Sequence, residues 1–172
     1  MLCACGSSRH SPYEGAKRVC DGRDQNNGIR WWLVDNKVLD GYSAMSLPSY
    51  YQVYALDAGE LKRYFSLADH NKSTLFFVPL GSQPNCIQYD ITRSDILPDS
   101  LKKKYPNLVS LKGKGAGGND IRLDYDGNVL QGQVISDGEM YYITPLNHNG
   151  KIFHMVYKRS DTKEIKQEFE RP

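Results

Sequence analysis

The sequence predicts an α+β domain in which one main helix, over about residues 57–68, packs on an antiparallel meander sheet. Three observations predict it. One short stretch carries apolar residues at helical spacing. Most of the second half alternates apolar and polar residues with a period of two. Asp-Gly and Asn-Gly pairs separate those alternating runs, and both residue types tolerate the positive φ of tight hairpin turns.

In chain order, residues 1–30 are polar and aperiodic and are expected to form a flexible N-terminal tether. A single domain is expected over 31–160 and a charged tail over 161–172, in keeping with 172 residues in all. Trp31-Trp32-Leu33-Val34 begins the apolar material as a first strand, and the run from Tyr50 to Leu56 is a second. Asp57 is placed to cap a helix, with Glu60 three residues later in the capping-box arrangement. Leu61, Tyr64, Phe65 and Ala68 then share one helical face, and Asp69-His70-Asn71 ends it. Thr74–Leu80 reads as a strand stopped near Pro79, and Ile87, Tyr89 and Ile91 as the inward residues of another. Pro98-Asp99-Ser100-Leu101 opens a short helical turn that must end before Pro106. The meander follows. Its apolar phases are Ile121, Leu123 and Tyr125, then Leu130 and Val134, then Tyr141 and Ile143, then Ile152, His154 and Val156.

Composition excludes several functions. Lys+Arg 22 against Asp+Glu 20 leaves a net charge of +2, without the concentrated basic face of a nucleic-acid binder. The densest basic run, Lys102-Lys103-Lys104, reads as a solvated helix face. Twelve Tyr against five Phe suit half-exposed sheet faces and contact surfaces. No apolar run approaches the roughly 20 residues of a membrane helix.

The candidate chemical motifs mostly have plainer readings. His10, His70, His148 and His154 form no HExxH pair, and no metal or cofactor is expected. Asp124, Asp126 and Asn128 imitate the start of a calcium loop, but Val129 and Ile135 stand where glycine and an acidic ligand belong. A hairpin turn fits better. Gly113-Lys114-Gly115-Ala116-Gly117-Gly118 imitates a phosphate cradle, yet its lysine is followed by glycine and then by a strand, so a flexible contact loop is expected. Cys3, Cys5 and Cys20 crowd the N-terminus while Cys86 stands alone, a distribution that predicts no disulfide framework. Cys86 reads as core, with a metal-capping thiolate as the functional alternative. Asn71-Lys72-Ser73 is a glycosylation sequon, meaningful only in a eukaryotic secretory route.

Leu2-Cys3-Ala4-Cys5-Gly6 resembles the end of a bacterial lipobox, which would make Cys5 the lipidated residue. The charged start and apolar run of a signal peptide do not precede it. The resemblance implies a cell-envelope location, in the periplasm or on the outer-membrane surface, with a lipid anchor as the only membrane contact, or else secretion.

A second resemblance runs from Tyr51 to Tyr157, and rests on the order of several short motifs. These are Tyr54-Ala55-Leu56-Asp57 leading into Leu61, the strand Phe76-Phe77-Val78-Pro79-Leu80, and Ile96-Leu97-Pro98-Asp99-Ser100-Leu101 followed by Lys104-Tyr105-Pro106. Then come Ser110-Leu111-Lys112-Gly113, Ile121-Arg122-Leu123-Asp124-Tyr125, Tyr141-Tyr142-Ile143-Thr144-Pro145-Leu146 and the closing Tyr157-Lys158-Arg159. In this order they resemble the N-terminal propeptide of Bacteroidetes secreted reprolysin-like zinc metalloproteases. The departures are a Pro-Leu where the family has Leu-Pro, and the lack of the family's HExxH-type catalytic motif. The resemblance implies a cystatin-like fold and a non-catalytic module that inhibits a zinc metalloprotease or assists its folding. The expected contact surface is Gly113, Lys114, Gly115 and Gly117 with Tyr141 and Tyr142, either in that loop or along a sheet edge that adds to the partner. The lipobox-like start favours a different reading, a surface lipoprotein of envelope assembly or adhesion whose partner is not a protease.

Overall fold

The computed structural model describes residues 15–20, 28–42, 47–68, 71–81, 85–94 and 98–162. Ten strands form one antiparallel sheet. They are β1 (Lys17–Val19), β2 (Trp31–Val34), β3 (Gln52–Leu56), β4 (Thr74–Leu80), β5 (Asn85–Arg93), β6 (Val109–Gly115), β7 (Asp120–Tyr125), β8 (Leu130–Ser136), β9 (Glu139–His148) and β10 (Lys151–Lys158). Two helices accompany them, α1 (Ala58–Ser66) and α2 (Asp99–Lys104). The spatial order is β1-β2-β3-β10-β9-β8-β7-β6-β5-β4. Two meanders are therefore joined by the pairing of β3 with β10, and α1 carries the chain from β3 to the far edge at β4.

The domain is thus mainly β, a nearly closed barrel-like sheet, and the expected α+β, cystatin-like arrangement is corrected. The helical spacing was genuine, but α1 is only nine residues long. A twisted antiparallel sheet of this many strands coils upon itself instead of lying flat beneath a helix. Its concave side holds the main core: Trp31, Tyr54, Phe76, Tyr89, Leu123 and Val134 from the strands, with Leu61, Tyr64 and Phe65 of α1 pushed in among them. Phe65 stacks on Tyr125 at 4.7 Å between ring centroids. The helix plugs the barrel.

The seam between the two edges is closed in two places without strand pairing. A disulfide joins Cys20, just beyond β1, to Cys86 on β5. The Trp31 indole N–H of β2 donates to the Phe77 carbonyl of β4 at 2.8 Å. The bond corrects the expectation of unpaired cysteines, and it removes Cys86 from the roles of lone core thiol and metal-capping thiolate. Of the expected tether, the described part is folded into the domain: Lys17–Val19 pair with β2, and Ile29 is buried. The lipobox-like residues with Cys5, His10, His70 and the tail from 163 onward lie outside the described residues.

Local signals held where they concerned single contacts. Asp57 caps α1, its carboxylate accepting the Glu60 N–H at 2.8 Å. The reciprocal arm of the capping box is not made. The Glu60 carboxylate turns instead to Arg30, accepting its main-chain N–H at 3.2 Å and its guanidinium Nε at 2.6 Å. Glu60 is buried, so this ion pair ties the start of β2 to the helix that plugs the barrel. Glu60→Gln keeps the shape and loses the charge. It should destabilise the fold by about 2 kcal/mol, as charge-assisted hydrogen bonds do. A urea midpoint unchanged by this substitution would exclude the tie as a stabilising element.

Candidate functional site

The convex side of the sheet has two halves. Over β2, β3 and the adjoining ends of β9 and β10, it is covered by the chain itself. Trp32, Val34, Val53, Leu146 and Phe153 there are packed beneath Leu39, with Val38, Tyr42 and Leu47 around it. Over β5–β9 no described segment lies on it, and its side chains line a groove of about 560 Å³. A second groove of about 410 Å³ shares Arg122 and Gln133 with the first.

Sheet register organises the groove into two parallel rows. One runs Asp90, Lys114, Asp120, Ile135, Met140, each opposite the next on the neighbouring strand. In it Lys114 lies between two carboxylates and pairs with Asp120 at 2.5 Å. The row balances most of its own charge and ends in an apolar pair. The other runs Thr92, Lys112, Arg122, Gln133, Tyr142, Tyr157. Here two cations stand directly opposite each other, an arrangement that is repulsive in the absence of a counter-charge. Both are exposed, and neither has an ionic partner among the described residues. Tyr142 and Tyr157 close the row, 5.6 Å apart, with Thr144 Oγ1 3.3 Å from the Tyr157 hydroxyl.

The expected contact residues are divided by this geometry. Lys114 and Tyr142 lie on the outer face. Tyr141 has the opposite phase and packs against the main core, with Lys158 Nζ 5.6 Å from its ring centroid. Gly113 and Gly115 face inward. A Cβ at Gly113 would lie 2.4 Å from Ile91 Cγ2 and 2.6 Å from the Asp90 carbonyl oxygen. Gly113 is thus required by packing on β5, while a Cβ at Gly115 would be tight, 3.0 Å from the Gln88 carbonyl oxygen; the expected flexible loop is corrected, since the segment is strand to Gly115 and a tight turn over Ala116–Gly118. Gly117 and Gly118 supply the turn's positive φ angles of 71° and 82°. Asn119 pins the turn to the β8–β9 hairpin, accepting the Asp137 N–H at 3.1 Å and lying 3.4 Å from Ser136 Oγ.

The sheet edge at β4 is also closed to strand addition. Its Leu75 carbonyl accepts the Tyr64 hydroxyl at 3.0 Å, its Phe77 carbonyl accepts Trp31, and Pro79 has no N–H to offer. The calcium-like triplet is a turn, as expected. Asp126 accepts the N–H groups of Asn128 and Val129 at 2.8 and 2.9 Å, and Asp124 accepts the Ser110 hydroxyl. Among the described residues, no three His, Cys, Asp or Glu side chains gather to hold a metal ion.

Sequence reasoning passed over Lys112, Gln133, Ile135 and Met140 as site residues and named Arg122 only within the motif Ile121-Arg122-Leu123-Asp124-Tyr125. The signal was present in the phase opposite Leu111, Ile121 and Val134. What it lacked was the register that places Lys112 against Arg122.

This class of protein, a plugged and disulfide-joined antiparallel barrel with one uncovered polar outer face, is defined by its own geometry. Comparison with protein-family models, with curated proteins and with solved structures finds no match for the chain. The likeness to metalloprotease propeptides therefore rests on the short motifs alone.

Proposed function

We propose that this chain is a non-catalytic binding module of the cell envelope or extracellular space, and that it engages a protein partner through the outer face of β5–β9. The observation that carries this is the filled interior. Among the described residues the concave side is largely occupied by core side chains and α1, leaving a cavity of only about 110 Å³ beside Tyr64, Ile91 and Leu111, and the larger charged groove lies outside. The Cys20–Cys86 disulfide supports an oxidising compartment. Recognition across a face, and not by strand addition at β4, follows from the capped carbonyls of that edge. A secreted zinc metalloprotease is the partner that the motif resemblance implies. An envelope-assembly or adhesion partner is the second reading, favoured by the lipobox-like start.

Photo-crosslinking tests the face. The purified chain carries p-benzoylphenylalanine in place of Gln133, or in place of Lys37 on the self-covered half, and is mixed with the envelope and secreted fractions of its source cells. A discrete adduct at position 133 and none at 37 is expected. If that adduct is a zinc endopeptidase titrated to inactivity by the chain, the inhibitor reading stands. Any other protein there decides for the lipoprotein reading. Equal labelling at both positions, or none at 133, rejects the face.

A further inference from the structure

The two rows of the groove differ in what they lack. The row through Lys114 has its counter-charges built in and offers apolar surface at Ile135 and Met140. Ile135 stands out because it is 36% exposed, one of four large exposed hydrophobics among the described residues. The row through Lys112 and Arg122 holds no anion of its own; Asp120 and Asp124 flank Arg122 along β7, but Asp120 is paired with Lys114 and Asp124 accepts the Ser110 hydroxyl. A ligand complementary to both rows brings one negative group and one apolar group. A sugar acid would answer the first requirement and not the second; a peptide answers both.

We infer that the groove takes an extended acidic segment of a partner protein, one carboxylate seated between Lys112 and Arg122 and one apolar side chain resting on Ile135 and Met140. This rests on the reading of the outer face as the binding surface. Two strand spacings across the sheet and one two-residue step along it separate the cation pair on β6–β7 from the apolar pair on β8–β9, roughly 12 Å, which four residues of extended chain span. An Asp or Glu followed four positions later by Leu, Ile or Phe, on the same face of the extended segment, is therefore the pattern that fits. Arginine and lysine on opposite strands hold a carboxylate from two sides. Guanidinium geometry makes Arg122 the more directional of the two.

The probe is the fluorescein-labelled peptide Gly-Ser-Asp-Ser-Thr-Ser-Leu-Ser-Gly, followed by fluorescence anisotropy against the full chain. Saturable binding is expected, weakened about tenfold by the Lys112→Ala/Arg122→Ala double substitution, the cumulative loss of two exposed ionic contacts. The same loss is expected when the peptide's Asp becomes Asn, and weaker binding when its Leu becomes Ser or the protein carries Ile135→Ser. Both protein variants lie on the exposed face and should keep the parent's urea midpoint. Equal binding of the Asp and Asn peptides overturns the inference, as does equal binding by the double variant. Binding of a polyuronate with none of the peptide overturns the choice of a peptide. A crosslink at position 133 that persists in the double variant, beside absent peptide binding, removes this inference and leaves the binding face intact. Absence of that crosslink removes both.

Discussion

Reducing the Cys20–Cys86 bond should cost the fold about 4 kcal/mol, the loop-closure entropy that a cross-link across 66 residues removes from the unfolded chain. The arithmetic describes the unfolded state, but the bond's position adds a native-state consequence. It sits at the seam, where β1 and β4 are not hydrogen-bonded to each other. β1 is three residues long and, among the described strands, is hydrogen-bonded to β2 alone. The expected result has two parts. With Cys3→Ser and Cys5→Ser as background, Cys20→Ser/Cys86→Ser should lower the urea midpoint by roughly 1–2 M. Amide exchange should accelerate first in β1 and at the outer edge of β4, while β7–β9 stay protected. An unchanged midpoint would mean that the seam is held by Trp31 and core packing alone. Uniform loss of protection across the sheet would mean that the seam has no local stability of its own.

Acidification should act through His154. Its imidazole is 1% exposed and faces the concave side. Nε2 accepts the Leu130 N–H at 3.3 Å, and Nδ1 has no partner among the described residues. A proton on Nε2 would set two donors against each other in an apolar site, and burial pushes the imidazole down to about 4. The unfolded value is near 6.5. Between those two values the unfolded chain binds the extra proton, so this contribution is complete above about pH 6.5. It fades as pH falls toward 4 and levels off below, an expected loss of about 3 kcal/mol from this one group. His154→Gln retains an acceptor for Leu130 and does not titrate. Urea unfolding of both proteins from pH 7.5 to 4 should show the parent stronger at neutral pH and the gap closing or reversing by pH 4. A difference independent of pH would show that His154 titrates alike in both states.

Local pieces of the fold could be read before the structure, although the fold class could not. The phases of β7–β10 follow from alternation, and the Asp137-Gly138 and Asn149-Gly150 hairpins from residues that accept positive φ, here 52° and 77°, then 51° and 73°. The cap on α1 and the inward phase of His154 were equally legible, because each depends on neighbours a few residues away. The site was half legible. Arg122 and Tyr142 occupy the exposed phase, but Tyr141 was placed beside Tyr142 although adjacent strand residues face opposite sides. The glycine run was misread for a physical reason: Gly113 is small because Ile91 and the Asp90 carbonyl of β5 occupy the space a side chain would need, a requirement that belongs to another part of the chain.

The sequence by itself determined the pieces: strand phases, turns, a capped helix and the absence of an HExxH motif. Those are set by local propensity and by periods of two and 3.6 residues. Only the tertiary structure decided that the sheet curls into a barrel, that the helix fills it, and that Cys20 meets Cys86. It also decided that Glu60 serves Arg30 and that Lys112 stands directly opposite Arg122. These contacts join residues far apart in the chain. They exist because sheet twist, accumulated over ten strands, brings the far edges together.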